Sequence, residues 1–143
     1  MTANYQNDFY SWTVEQAEAM RSGRYADLDV QNLIEEIESM GRSEKRALES
    51  RLTVLCLHML KWHYQPARRG KSWKCSIDVQ RKRFQKLLRE NPGLKPLLPT
   101  LLNDAYEQAT YAAFQETGID IEVFPKQCPW SCEQMADAEF YPD

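Results

Sequence analysis

Eleven Lys and Arg fall between residues 61 and 95 against two Asp and Glu, in a chain of 143 residues whose formal net charge is −3. Residues 1–60 hold six cations and ten carboxylates, and residues 96–143 hold one and nine. Positive charge is therefore gathered into about a quarter of the sequence. Lys61, Arg68, Arg69, Lys71 and Lys74 surround a predicted loop, and Lys82, Lys86 and Arg89 fall on one face of the helix expected after it. Trp62, Tyr64 and Trp73 are interleaved with the loop charges. Arg presents a planar fork to phosphate, the free N–H groups of a helix start attract anions, and aromatic faces beside cations suit single strands. The segment points to a phosphate-rich or acidic partner, either nucleic acid or an acidic protein. Two facts weigh on the other side. A sequence pI near 5.5 is not that of a dedicated nucleic-acid-binding domain. A basic helix between acidic ones can also pair with them, and exposed pairs contribute little.

Arg51 and His58 form the second candidate. They are seven residues apart and so project from nearly one helix face, with Glu44 and Gln65 extending the stripe. A His buried and hydrogen-bonded in so apolar a helix fits the same pattern. No metal site is indicated. His58 and His63 are five apart and face differently, and Cys128 and Cys132 are separated by three residues instead of the two of a zinc knuckle. Glu35, Glu36 and Glu38 lack the Glu-x-x-His of a di-iron bundle. No Gly-rich phosphate loop, nucleophile elbow or dinucleotide fingerprint is present, so no cofactor is expected. The expectation is a non-enzymatic binding module acting through the basic segment, with catalysis by Arg51 and His58 and plain protein–protein association as alternatives. Nothing in the sequence singles out a homo-oligomer.

These residues need helices to position them. Hydrophobic residues are 43% and charged ones 27%, the balance of a globular domain, and one domain is expected at this length. Met1 to Tyr10 lack a basic start and an apolar run, and the purest apolar stretch, Val54 to Leu57, stops at His58. A membrane span needs roughly 20 apolar residues, so a soluble cytoplasmic protein without membrane contact is expected, with its four cysteines as free thiols.

Thr13 to Gln16 has capping-box spacing and predicts a first helix ending at Gly23. Val30, Leu33, Ile34, Ile37 and Met40 predict a second, stopped by Gly41. A third, about residues 43–65, is apolar nearly all round (Leu48, Leu52, Leu55, Met59 and Trp62 lead) and belongs at the centre. It ends at Pro66. Ser72 is the expected N-cap of a fourth helix running to about Glu90. Trp73, Ile77, Phe84 and Leu87 line that helix, with Gln80 polar in the stripe and expected to bond another helix. Asn91-Pro92-Gly93 terminates it. A fifth helix runs from Pro96 or Pro99 to Thr117, closed by Gly118. The alternation from Ile119 to Val123 reads as extended, and Ser131 to Gln134 is a capping box for a short last helix. The fold class is all-α, a compact single-domain bundle of five to six helices.

The runs DFYSWTVEQAEAMRSGRYADLDVQNLIEEIESMGRSEKRALESRL, LHMLKWHYQP and FPKQCPWSCEQ, with Ser-Trp opening the helix between the last two, resemble domain-of-unknown-function family 29. The likeness covers nearly the whole chain. It implies a helical fold and a bacterial, cytoplasmic protein of a family abundant in cyanobacteria, and it carries no established substrate, cofactor or catalytic residue. Separately, Arg51 followed after six residues by His58 resembles the short motif of HEPN-type helical ribonucleases. That likeness implies metal-independent RNA cleavage, with His58 as acid or base and Arg51 stabilising phosphate charge. Leu52 stands where those nucleases usually place a polar residue.

Overall fold

A computed structural model describes residues 4–143. Its helices are α1 (Phe9–Arg21), α2 (Val30–Tyr64), α3 (Lys71–Glu90), α4 (Leu98–Thr117) and the short α5 (Cys132–Ala136). They are joined by 3-10 turns at Tyr25–Asp27, Pro66–Arg68, Pro92–Leu97 and Ile121–Val123. No strand occurs among the described residues, and the all-α expectation holds. The chain resolves into two compact units, residues 1–42 and 43–143.

In the first unit α1 starts at Phe9, earlier than the sequence suggested. Asp8 is the N-cap and accepts from the Ser11 N–H at 3.1 Å. The Thr13 hydroxyl donates back to the Tyr10 carbonyl at 2.7 Å, so it is a helix-interior residue and caps nothing. Trp12 Nε1 donates to Asp29 at 3.1 Å, and the Asp29 N–H donates to Gln16 Oε1 at 2.8 Å, which holds the α1–α2 connection against α1. The Asn32 amide and the Trp12 indole both bond the Asp29 carboxylate and hold its pKa below the usual value. Tyr5 donates its hydroxyl to Glu36.

Gly41 does not end a helix. It lies inside α2, and the two positive-φ glycines are Gly23 and Gly118. A helix-interior Gly costs about 1 kcal/mol, which is small beside the backbone bonds of 35 continuous helical residues. The expected third helix is thus the later part of α2, and it is the centre of the second unit as predicted. Leu48, Leu52, Leu55, Cys56, Met59 and Leu60 are all buried there.

From α3, Ile77 and Phe84 pack into this core. From α4 come Leu101, Leu102 and Tyr106, with Ala105, Ala109 and Ala113 fully buried, small residues that let a neighbouring helix approach closely. Gly118 closes α4 in the left-handed conformation at φ 75°, as expected. The predicted capping box at Ser131 and Gln134 is formed in both directions.

Three local expectations are corrected. Gly70, with extended backbone, is the N-cap of α3 in place of Ser72. Residues 121–123 form a 3-10 turn instead of a strand, because Asp120 accepts from the Glu122 N–H and turns the chain. Gln80 bonds no other helix, and its buried Oε1 has no partner among the described residues. A buried acceptor left unpaired costs more than an apolar atom in the same place. Gln80→Leu should therefore raise stability by about 1 kcal/mol, read as a higher urea midpoint at unchanged slope.

Candidate functional site

Lys71, Lys82, Lys86 and Arg89 lie at helical spacing along one face of α3, opposite Ile77 and Phe84, and Lys74 stands at the edge of that face. All five are exposed. The stripe extends about 27 Å at 1.5 Å per residue. Lys86 pairs loosely with Glu90 at 3.8 Å. Among the described residues Lys71, Lys74, Lys82 and Arg89 form no ion pair.

Beside the stripe is a cleft of about 410 Å³ whose wall includes Lys74, Asp78, Arg81, Lys82, Glu139 and Tyr141. Arg81 is its unusual member, for its side chain is only 2% exposed. Its Nε donates to the Met135 carbonyl at 2.8 Å, and its Nη2 to the carbonyls of Gln134 at 3.3 Å and Phe140 at 2.5 Å. Its Nη1 is buried without a partner among the described residues. Burial pulls the guanidinium pKa down, while Tyr141, Asp78 and Asp137 favour its charge. Gln85 adds a bond to the Ala136 carbonyl at 2.6 Å. Arg81 thus latches the C-terminal segment to α3 and turns one donor towards nothing.

Aromatic rings continue outward from this latch. Arg81 lies 5.4 Å from the Tyr141 ring centroid, Tyr141 lies 5.1 Å from Trp62, and Arg69 lies 5.1 Å from Trp62 on its own side. This layered order of cation, ring, ring and cation is cation–π packing. Tyr141 also donates to Asp78 at 2.7 Å. Burial, followed by that hydrogen bond, pushes its pKa up to about 12, so the phenol stays neutral and in place across the physiological range.

The structure separates the residues that the sequence grouped. Lys71, Lys74, Lys82, Lys86 and Arg89 form the stripe, and Arg68 is exposed in the turn before it. Arg69 and Lys61 are committed inside the fold. Arg69 donates to the Trp62 carbonyl at 2.6 Å. Lys61 pairs with Glu116 at 3.1 Å and lies over Trp73. Trp62 therefore stacks on this chain's own groups. His58 Nδ1 lies 2.9 Å from the Val54 carbonyl of its own helix, Arg51 is half-buried, and neither lines the α3 cleft. The four thiols are free. Cys56 and Cys128 influence one another: buried Cys56 is held protonated by its neighbour Cys128 and by burial, and Cys56 lowers the pKa of Cys128, whose Sγ donates to the Trp130 carbonyl at 3.4 Å.

Sequence reasoning missed Arg81, although a signal was present. Ile77, Arg81, Phe84 and Leu88 follow one another in steps of four, three and four, the spacing of a buried stripe.

These elements define a small all-α protein. The family model described as Domain of unknown function DUF29 matches residues 4–141, nearly the whole chain, and the chain belongs to that family. No match is found among curated proteins or among solved structures. No helix among the described residues is long and apolar enough to cross a membrane.

Proposed function

We propose that this protein is a non-enzymatic binding module whose α3 face, with the adjoining Arg81 cleft, contacts a phosphate-rich partner. The reading rests on one observation: a row of exposed Lys and Arg along α3, most of it without a carboxylate partner among the described residues. Fixed cations without partners favour a polyanion, because each phosphate contact releases a condensed counterion. Arg81 adds a buried positive charge to the wall of the cleft. Tyr141 and Asp78 bring hydroxyl and carboxylate groups to the same wall, which suits a ligand that also donates hydrogen bonds.

Fluorescence anisotropy of labelled single-stranded RNA and duplex DNA provides the test. If about six cations engage a single strand, the logarithm of the binding constant should fall with the logarithm of salt at a slope of about −4. Lys74→Glu with Lys82→Glu should abolish binding without changing helicity. No binding at low salt would reject the proposal for nucleic acid and move the search to acidic proteins. RNA cleavage lost in His58→Ala but retained in the double Lys variant would replace it with catalysis by Arg51 and His58.

A further inference from the structure

Of the thirteen large apolar side chains exposed among the described residues, nine lie within residues 1–42. The same unit supplies two of the eighteen buried hydrophobic residues, Trp12 and Ala19. A unit this small cannot enclose a core by itself. It is a helical hairpin, and a nearly wholly apolar groove of about 380 Å³ runs between α1 and the first part of α2. Phe9 and Met20 line it from α1, and Ile37 and Met40, each 62% exposed, from α2. Val30 and Ile34 extend the α2 side of this stripe.

We propose that this groove is the docking site for a second copy of the chain, two hairpins closing into a four-helix bundle about a two-fold axis. The spacing fits self-pairing. Val30, Leu33, Ile37 and Met40 follow in steps of three, four and three, the seam of a coiled coil, and a hairpin is half of such a bundle. The area also fits. A large side chain half out of the fold presents about 100 Å², so Phe9, Met20, Val30, Ile34, Ile37 and Met40 offer roughly 600 Å² per copy. A standard interface takes roughly 800 Å² per partner, about two thirds of it apolar in homodimers.

Charge sets the conditions. Arg21 pairs with Glu18 at 3.3 Å and Arg42 with Glu35 at 2.9 Å, which neutralises part of the hairpin surface within each copy. Residues 1–42 still hold eight carboxylates against three cations, so two hairpins repel at low salt and the apolar contact must overcome that repulsion. Added salt therefore tightens the dimer, the opposite of its effect on association through the cationic stripe.

Sedimentation equilibrium of the full chain, from low micromolar to near-millimolar concentration and at low and high salt, tests this directly. The expected result is a monomer–dimer equilibrium that strengthens with salt. Ile37→Lys and, separately, Met40→Lys should each weaken it on the order of a thousandfold, because two-fold symmetry counts every substitution twice. Both side chains are exposed, so helicity by circular dichroism should be unchanged. A monomer under every condition would overturn the proposal and leave the groove to a different partner, such as a cationic amphipathic helix. A dimer that loosens with salt, or one indifferent to both Lys variants, would overturn it equally by placing the contact elsewhere.

Discussion

Arg81→Met is expected to release the C-terminal segment from α3 and to cost about 3 kcal/mol. Arg81 donates to three main-chain carbonyls of residues 134–140, and hydrogen bonds from charged donors are each worth about 1.5–3 kcal/mol. The full sum will not be lost, because the carbonyls freed from Arg81 can regain water once the segment detaches. Met restores most of the side-chain volume, so the effect reports the donors and not a cavity. The urea midpoint should fall, and amide exchange should rise first across residues 134–141. Arg81→Lys should restore little. An ammonium is a point charge that cannot span three carbonyls, whereas the guanidinium is a planar fork. The same variant should loosen Tyr141 from Trp62, read as a change in Trp fluorescence. If stability and tail exchange are both unchanged, the latch is not what holds the segment.

The helices were legible because their signals are redundant. The later part of α2 carries a long apolar repeat, and Ser131 with Gln134 forms a cap whose two bonds depend only on neighbours in sequence. The failures occur where a local signal had to be weighed against the rest of the chain. Gly41 is a plausible stop, yet its cost of about 1 kcal/mol is overridden by the helix on either side. The alternation at Ile119 to Val123 has strand spacing but no strand to pair with, and Asp120 turns it instead. The Lys82, Lys86 and Arg89 part of the basic stripe was readable from spacing alone, since exposed cations on an amphipathic helix need no partner to be placed. The sequence groups Lys71 and Lys74 with the loop, because α3 starts at Lys71, before the expected cap at Ser72. Lys61 and Arg69 were not separable from it, because what occupies them is Glu116, 55 residues away, and the Trp62 carbonyl across the loop. Arg81 was hidden by its type. Its spacing placed it in the core, but a buried Arg makes sense only once residues 134–140, far along the chain, bring their carbonyls to it.

Phe84→Ala should cost about 4 kcal/mol, a large loss for a single substitution that leaves every charge in place. Phe84 is 1% exposed and sits in the core with Ile77 of α3 and the apolar residues of α2 and α4. Truncation removes the transfer free energy of a phenyl ring and leaves a cavity that close-packed neighbours refill only in part. Phe84→Leu, which keeps most of the volume, should cost less than about 1.5 kcal/mol. Urea titration of the three proteins should show falling midpoints at a constant slope, since the surface exposed on unfolding hardly changes. The pair also separates stability from the proposed function. Phe84 is buried, Lys82 lies on the opposite face of α3, and Lys74 is exposed at the edge of the cationic face, so Phe84→Leu should leave polyanion affinity and its salt slope unaltered. Phe84→Ala should weaken binding only to the extent that α3 frays. A Phe84→Leu variant that folds stably yet loses binding would mean that the cationic row alone does not recognise the partner, and that the exact seating of α3 against the core does.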